Sequence, residues 1–107
     1  MSTSKQFMDF LLEQLSDVDG VTYRPMMGEY LIYVRGKVAA DVCDDRLLVK
    51  PVPAARELLP NAPLEPPYKG AKDMLLVEDT DDRELMTELF NAIYDELPVP
   101  KPKKKKA

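Results

Sequence analysis

The chain has 107 residues, a formal net charge of −4, one cysteine and no histidine. This length is typical of a single domain that buries a core without disulfides or metals. The missing histidine excludes Ser-His-Asp and Cys-His catalysis and histidine-containing zinc sites, so we expect a protein that is not an enzyme and needs no cofactor or metal.

Charge is divided unevenly along the chain. Of the fifteen Lys and Arg residues, five lie within 101–107, which leaves ten against all nineteen Asp and Glu in residues 1–100. This acidic body disfavours nucleic acid, because affinity for a phosphate backbone comes mainly from neutralising it. We expect one domain over 1–97 and a disordered Pro/Lys-rich tail over 98–107 that binds polyanions weakly and without specificity.

An amphipathic helix is predicted over 4–18. Thr3 and Gln6 have the spacing of a capping box, and Gly20 is placed to end the helix in a left-handed conformation. No signal peptide precedes this helix and no apolar run approaches eighteen residues, so we expect a cytoplasmic protein with no membrane segment. The apolar residues recur at intervals of three and four and form one stripe: Phe7, Met8, Leu11, Leu12, Leu15 and Val18.

The next segment predicts antiparallel strands, because short alternating runs are separated by turn signals. Pro25 cannot donate a ladder hydrogen bond and predicts a bend, with residues 26–28 as the turn. Arg35-Gly36 and Asp44-Asp45 predict two-residue hairpin turns. Both faces of the second strand are apolar, so either both are covered or one meets a partner. The predicted strands are 21–24, 29–34, 37–43 and 46–50.

The C-terminal half predicts two helices around one strand. Four prolines in residues 60–73 argue for a loop, and a loop of this length is often functional. Asp81 and Glu84 are placed to cap the last helix. The predicted elements are a helix from Pro53 to Leu59, a strand over Met74–Val77 and a helix over 82–97. The last helix has an apolar stripe of Leu85, Met86, Leu89, Phe90, Ile93, Tyr94 and Leu97.

The order of these elements, α-β-β-β-β-α-β-α, predicts the fold class. We expect an α+β protein of two layers, in which a mostly antiparallel sheet of about five strands carries the helices on one face.

Two clusters near the first hairpins are candidate functional sites, and each could instead have a purely structural role. Met26 and Met27 beside Gly28 could form an adaptable binding surface, although a core filler and a turn residue are the commoner roles. Asp44-Asp45 presents two carboxylates, but hard cations need more oxygen ligands than a turn supplies, so we interpret the pair as a turn. Cys43 has no histidine to activate it, and neighbouring acids would raise its pKa.

Two further clusters lie in the C-terminal half. The segment 66–72 holds Tyr68, Lys69 and Lys72, a composition that could bind an anion or stack on a base. It lacks the spacing of a phosphate-binding P-loop. The acids over 79–84 favour the N-terminus of the following helix, and they lack the alternating ligands and central glycine of a calcium loop.

The segment 24–50 resembles the N-terminal domain of the TfoX/Sxy family of bacterial competence regulators. A stretch of the type R-x-M-F-G-G-Y is matched by Arg24, Met26, Gly28 and Tyr30, with Met27 and Glu29 replacing the Phe and the second Gly. A hairpin of the type D-D-R-L-x-x-K is matched by Asp44, Asp45, Arg46, Leu47 and Lys50. The order of elements agrees over residues 3–97.

The resemblance implies a two-layer fold similar in topology to type III secretion chaperones, in a bacterial cytoplasmic protein without known enzymatic activity. Full-length competence regulators add a C-terminal domain and act with transcription machinery. We expect a stand-alone form here and do not carry over control of competence genes.

These observations predict a regulatory module that binds an unknown protein partner, which could be a second copy of the chain. The alternative is a nucleic-acid-associated regulator that uses the basic tail with Lys69 and Lys72. The predicted interaction surface is the exposed sheet face and the start of the second strand, comprising Arg24, Met26, Met27, Gly28, Tyr30, Arg46, Lys50, Tyr68 and Lys69.

Overall fold

A computed structural model describes residues 3–26 and 29–97 of the chain. Its elements are helices α1 (Lys5–Gln14), α2 (Pro53–Leu58) and α3 (Arg83–Tyr94), and strands β1 (Val21–Met26), β2 (Glu29–Val34), β3 (Lys37–Cys43), β4 (Arg46–Val49), β5 (Leu64–Glu65) and β6 (Met74–Val77). The α+β class and the predicted order are confirmed, with β5 as an additional strand. The predicted tail over 98–107 lies outside the described residues.

The six strands form one antiparallel sheet in the order β1-β2-β3-β4-β6-β5. Both predicted hairpin turns are present. Arg35, Gly36, Asp44 and Asp45 all have positive φ, between 47° and 87°. Positive φ at both central residues is the geometry of the type I′ turn, whose twist matches the twist of the paired strands.

All three helices contribute to one core on one face of the sheet. The core residues of the first and last helices come mostly from the predicted apolar stripes. Met8 and Leu11 of α1 and Leu89 and Ile93 of α3 are buried there. Ala55 supplies the buried residue of α2. The sheet contributes the alternate residues of β2, β3, β4 and β6 that point toward this layer: Ile32, Val34, Ala40, Val42, Leu47, Val49, Leu75 and Val77.

A second, smaller apolar cluster lies on the other face of the sheet, which we call the helix-free face. Cys43, Leu48 and Met74 are buried there. Residues 60–73, which we call the proline loop, reach this cluster through Pro67. The thiol of Cys43 donates to the carbonyl oxygen of Pro67 at 2.9 Å, and Pro67 is itself buried.

The proline loop is not entirely irregular, contrary to the prediction. Leu64 and Glu65 pair with Leu75 and Met74 of β6, which brings the sheet to six strands instead of about five. The loop contains Pro60, Pro63, Pro66 and Pro67. A strand of two residues at the sheet edge can form between prolines, because it needs few backbone N–H donors and proline has none.

Pro25 does not end the first strand. The predicted strand 21–24 extends to Met26, and Pro25 pairs with Tyr30 of β2. β1 is an edge strand, where the missing amide can face away from the ladder. The turn predicted over residues 26–28 was therefore wrong for Met26, while Met27 and Gly28 lie outside the described residues.

The first helix is shorter than predicted and has a different cap. It ends at Gln14, and the side chain of Ser4 caps it by accepting from the amide of Phe7. Thr3 is buried and its hydroxyl instead accepts from the amide of Asp45 at 3.4 Å. Gly20 has the expected positive φ of 76°, but it lies beyond the helix and next to β1.

The remaining elements differ from the prediction only at their ends. The last helix begins at Arg83 and ends at Tyr94, and its cap is Asp82, whose carboxylate accepts from the amide of Leu85 at 3.0 Å. Asp81 was therefore the wrong cap. Strand β4 and helix α2 each end one residue before the predicted position.

Candidate interaction surface

The predicted surface residues are divided between the two faces of the sheet. Arg24 pairs with Leu31, whose register partner in β3 is Asp41, and this row continues to Leu48 on the helix-free face. Tyr30 pairs with Val42 in the neighbouring row, which packs against the helices. Strand alternation therefore places Arg24 and Met26 on the helix-free face and Tyr30 on the helix side. The sequence pattern had grouped them in one surface.

The β1–β2 hairpin is the least covered part of the sheet. Every residue of β1 after Val21 is exposed. Tyr23 and Met26 retain 46% and 41% of their surface, and they point to opposite faces of the strand. On the helix side, the ring of Tyr23 contacts that of Tyr30 at a centroid distance of 5.7 Å and a tilt of 58°. The hairpin thus presents uncovered apolar side chains on both faces.

The edge of β1 is poorly suited to adding another strand. Pro25 supplies no amide hydrogen, and natural proteins use proline and charged residues on edge strands to block pairing with other chains. The opposite edge consists of two residues, Leu64 and Glu65. Side chains of the hairpin are therefore better placed for recognition than its backbone.

Arg46 holds the proline loop against the sheet. Its Nη1 donates to Oε1 of Glu65 at 2.7 Å, and its Nη2 donates to the carbonyl oxygen of Pro67 at 3.3 Å. Nη2 also lies 3.5 Å from Sγ of Cys43. Both partners of the ion pair are partly exposed, so the pair itself contributes on the order of 1 kcal/mol or less. Arg46 is thus occupied within the fold rather than free for a partner.

Cys43 has the environment of a strand residue rather than of a reactive thiol. Burial raises the pKa of the Cys43 thiol, Glu29 and Asp41 raise it further, and Arg46 opposes them. The sequence predicted this direction from neighbouring acids, but burial is the larger cause. A thiol with a raised pKa is a poor nucleophile at neutral pH.

The turn between β3 and β4 also anchors the first helix. Oδ1 of Asp45 accepts from the backbone amide of Ser4 at 2.8 Å, in addition to the contact between Asp45 and Thr3. These contacts join residues about forty positions apart in the chain. The turn interpretation of Asp44-Asp45 is confirmed, and its second role in helix placement had no signal in the sequence.

An acidic residue that the sequence did not single out lies in the middle of the helix-free face. Asp41 occupies β3 opposite Leu48, and it is partly buried. Burial raises the pKa of the Asp41 carboxyl, and Lys50 partly opposes this shift. Burial likewise raises the pKa of Glu29, with Asp41 and Asp44 adding to the effect. The sequence feature that could have indicated this residue is that Asp41 is the one charged residue in the otherwise apolar run 38–43 of β3.

The remaining predicted residues lie around the proline loop. Tyr68 and Lys69 are exposed residues of this loop, and Lys50 is half-buried after β4. Over residues 3–26 and 29–97, no three Cys, Asp or Glu side chains are grouped so that they could hold a metal ion. Within the same ranges, no helix is long and apolar enough to cross a membrane.

Comparison with known proteins shows the family to which this chain belongs. The model of the TfoX N-terminal domain matches residues 13–95, so the chain belongs to this family. The chain is also 36% identical over 107 residues to a protein of Spirochaeta aurantia described as an uncharacterized 12.7 kDa protein in the trpE 5′ region. This alignment covers 99% of the chain and 93% of that relative. No solved structure matches the chain.

Proposed function

We propose that the chain is a regulatory module that binds a protein partner through the β1–β2 hairpin. The observation that carries this proposal is the exposure of Tyr23 and Met26 on a strand that no helix or loop within residues 3–26 and 29–97 covers. Tyrosine and methionine are enriched at protein interfaces, because they bury much area and adapt to irregular surfaces. The tilted contact between Tyr23 and Tyr30 restricts both rings, which lowers the entropy lost on binding.

Charge supports a protein partner over nucleic acid. The described residues contain ten Lys and Arg against nineteen Asp and Glu. On the hairpin itself, the charges are mixed, with Arg24 and Glu29 toward the end where Met26 pairs with Glu29. Such a surface gives no phosphate-binding stripe, which is the usual footprint of a nucleic-acid site. Any polyanion binding is assigned to the lysines of 101–107.

The test compares two double variants of the full chain. Tyr23→Ser with Met26→Ser removes the exposed apolar groups of the hairpin, and Asn91→Ser with Ala92→Ser changes two exposed residues of α3. We expect both variants to keep the melting temperature, because all four side chains are exposed. Sedimentation over a range of protein concentrations measures self-association. Capture from native lysate, with and without nuclease treatment and followed by mass spectrometry, measures other partners.

The proposal requires that self-association or capture of identified proteins be lost in the hairpin variant and retained in the α3 variant. Equal behaviour of the two variants would reject the hairpin as the binding surface. Capture that disappears on nuclease treatment would favour the nucleic-acid-associated alternative.

A further inference from the structure

A cavity of about 250 Å³ lies between the helix-free face and the proline loop. Its lining combines charged groups of both signs with apolar groups. The residues that line it include Asp41 of β3, Lys50 directly after β4, Tyr68, Lys72 and Asp73 from the loop, and Met74 at the start of β6. This volume is below the roughly 300–1,000 Å³ of pockets for drug-sized ligands, so it suits a ligand with few heavy atoms.

The charged groups of the cavity are not paired with one another. Within the described part of the chain, the Asp41 carboxylate accepts no hydrogen bond and forms no ion pair, although Lys50 is near enough to affect its pKa. Lys50 and Lys72 likewise form no ion pair with described residues. A partly buried carboxylate without a hydrogen-bond donor costs stability, since its lost hydration is not replaced. Groups held at such a cost are characteristic of binding sites.

We propose that this cavity binds a free α-amino acid, with its ammonium group at Asp41 and its carboxylate at Lys50 and Lys72. A simple anion would meet the carboxylates of Asp41 and Asp73, and a simple cation would meet the two lysines. A zwitterion satisfies both signs within one small molecule. Met74 and the ring of Tyr68 supply apolar surface for the side chain of the ligand.

The first experiment titrates the full chain with each standard L-amino acid at millimolar concentration, followed by amide chemical shifts. We expect at least one amino acid to shift the amides of Asp41, Lys50 and Lys72. Its N-acetyl derivative lacks the ammonium group and its amide derivative lacks the carboxylate. Each derivative is expected to bind at least about tenfold more weakly, as expected for loss of one charge-assisted hydrogen bond.

The second experiment uses isosteric variants with matched controls. Asp41→Asn and Lys50→Gln are each expected to weaken binding at least about tenfold. Asp81→Asn and Lys69→Gln make the same chemical changes at exposed positions outside the cavity, and they are expected to leave binding unchanged. Asp41→Asn removes a partly buried charge and should not lower the melting temperature, so its loss of binding cannot be attributed to unfolding.

The proposal is overturned if no standard amino acid shifts the cavity amides at these concentrations. It is also overturned if binding survives Asp41→Asn, or if the N-acetyl derivative binds as well as the free amino acid. Either of the last two results would show that Asp41 does not recognise the ammonium group.

Discussion

Replacement of Leu89 by Ala tests whether the stripe of α3 builds the core or serves a partner. Leu89 is completely buried, and so are Met86, Phe90 and Ile93 on the same helix. Removal of a buried leucine side chain costs about 2–5 kcal/mol, and we expect a loss of about 3 kcal/mol here. For a domain of this size, that corresponds to a fall of roughly 12 °C in the melting temperature.

Thermal and urea unfolding of the full chain measure this effect, and sedimentation reports the oligomer mass of the same samples. Leu64→Ala is the matched control, because Leu64 keeps 47% of its surface exposed and should change stability by less than about 1 kcal/mol. An unchanged melting temperature for Leu89→Ala together with lost self-association would refute the core assignment and move the interface to α3.

Three further predictions concern single features of the chain. Asp82→Ala removes the cap of α3 and should cost about 1 kcal/mol in chemical denaturation, whereas Asp81→Ala should be nearly neutral; equal losses would contradict the observed cap. Burial raises the pKa of Asp41, so the charged form destabilises the fold as pH rises through that raised value. The stability of Asp41→Asn relative to the wild type should therefore increase as pH rises from below to above that raised value, and a difference independent of pH would count against this. Removal of residues 101–107 should abolish DNA gel shifts, as should added salt; sequence-specific binding that survives the truncation would promote the nucleic-acid alternative.

Local sequence determined most elements of this fold. The dipeptides at 35–36 and 44–45 are rich in residues that tolerate positive φ, so the two hairpins and their pairing could be read directly from the chain. The stripes of the two long helices were equally readable, because burial of one helix face imposes a period of 3.6 residues. The family resemblance rested on the same hairpins, which carry both the turn chemistry and the matching motif residues.

Contacts between distant parts of the chain decided the rest. Thr3 and Ser4 are both good caps by composition, and Asp45 binds Thr3 and the amide of Ser4 from a turn about forty residues away. β5 forms between prolines only because the edge of β6 offers partners to Leu64 and Glu65.

The candidate sites depended on tertiary structure most of all. The alternation of side chains along a strand shows which residues share a face of that strand. Whether each face is covered depends on where the other elements pack. The sequence could not show that the proline loop folds over β3 and β4, so the one acidic residue in the apolar run of β3, Asp41, was not recognised as part of a site. It also grouped Tyr30 with Arg24 and Met26, although the helices lie on one face of the sheet and place Tyr30 on the side opposite to these two residues. Sequence by itself determined the elements and their local pairing, because those follow from backbone and side-chain preferences within a few residues. Only the tertiary structure decided which charged side chains were left unpaired in a cavity, because that depends on every chain segment that reaches it.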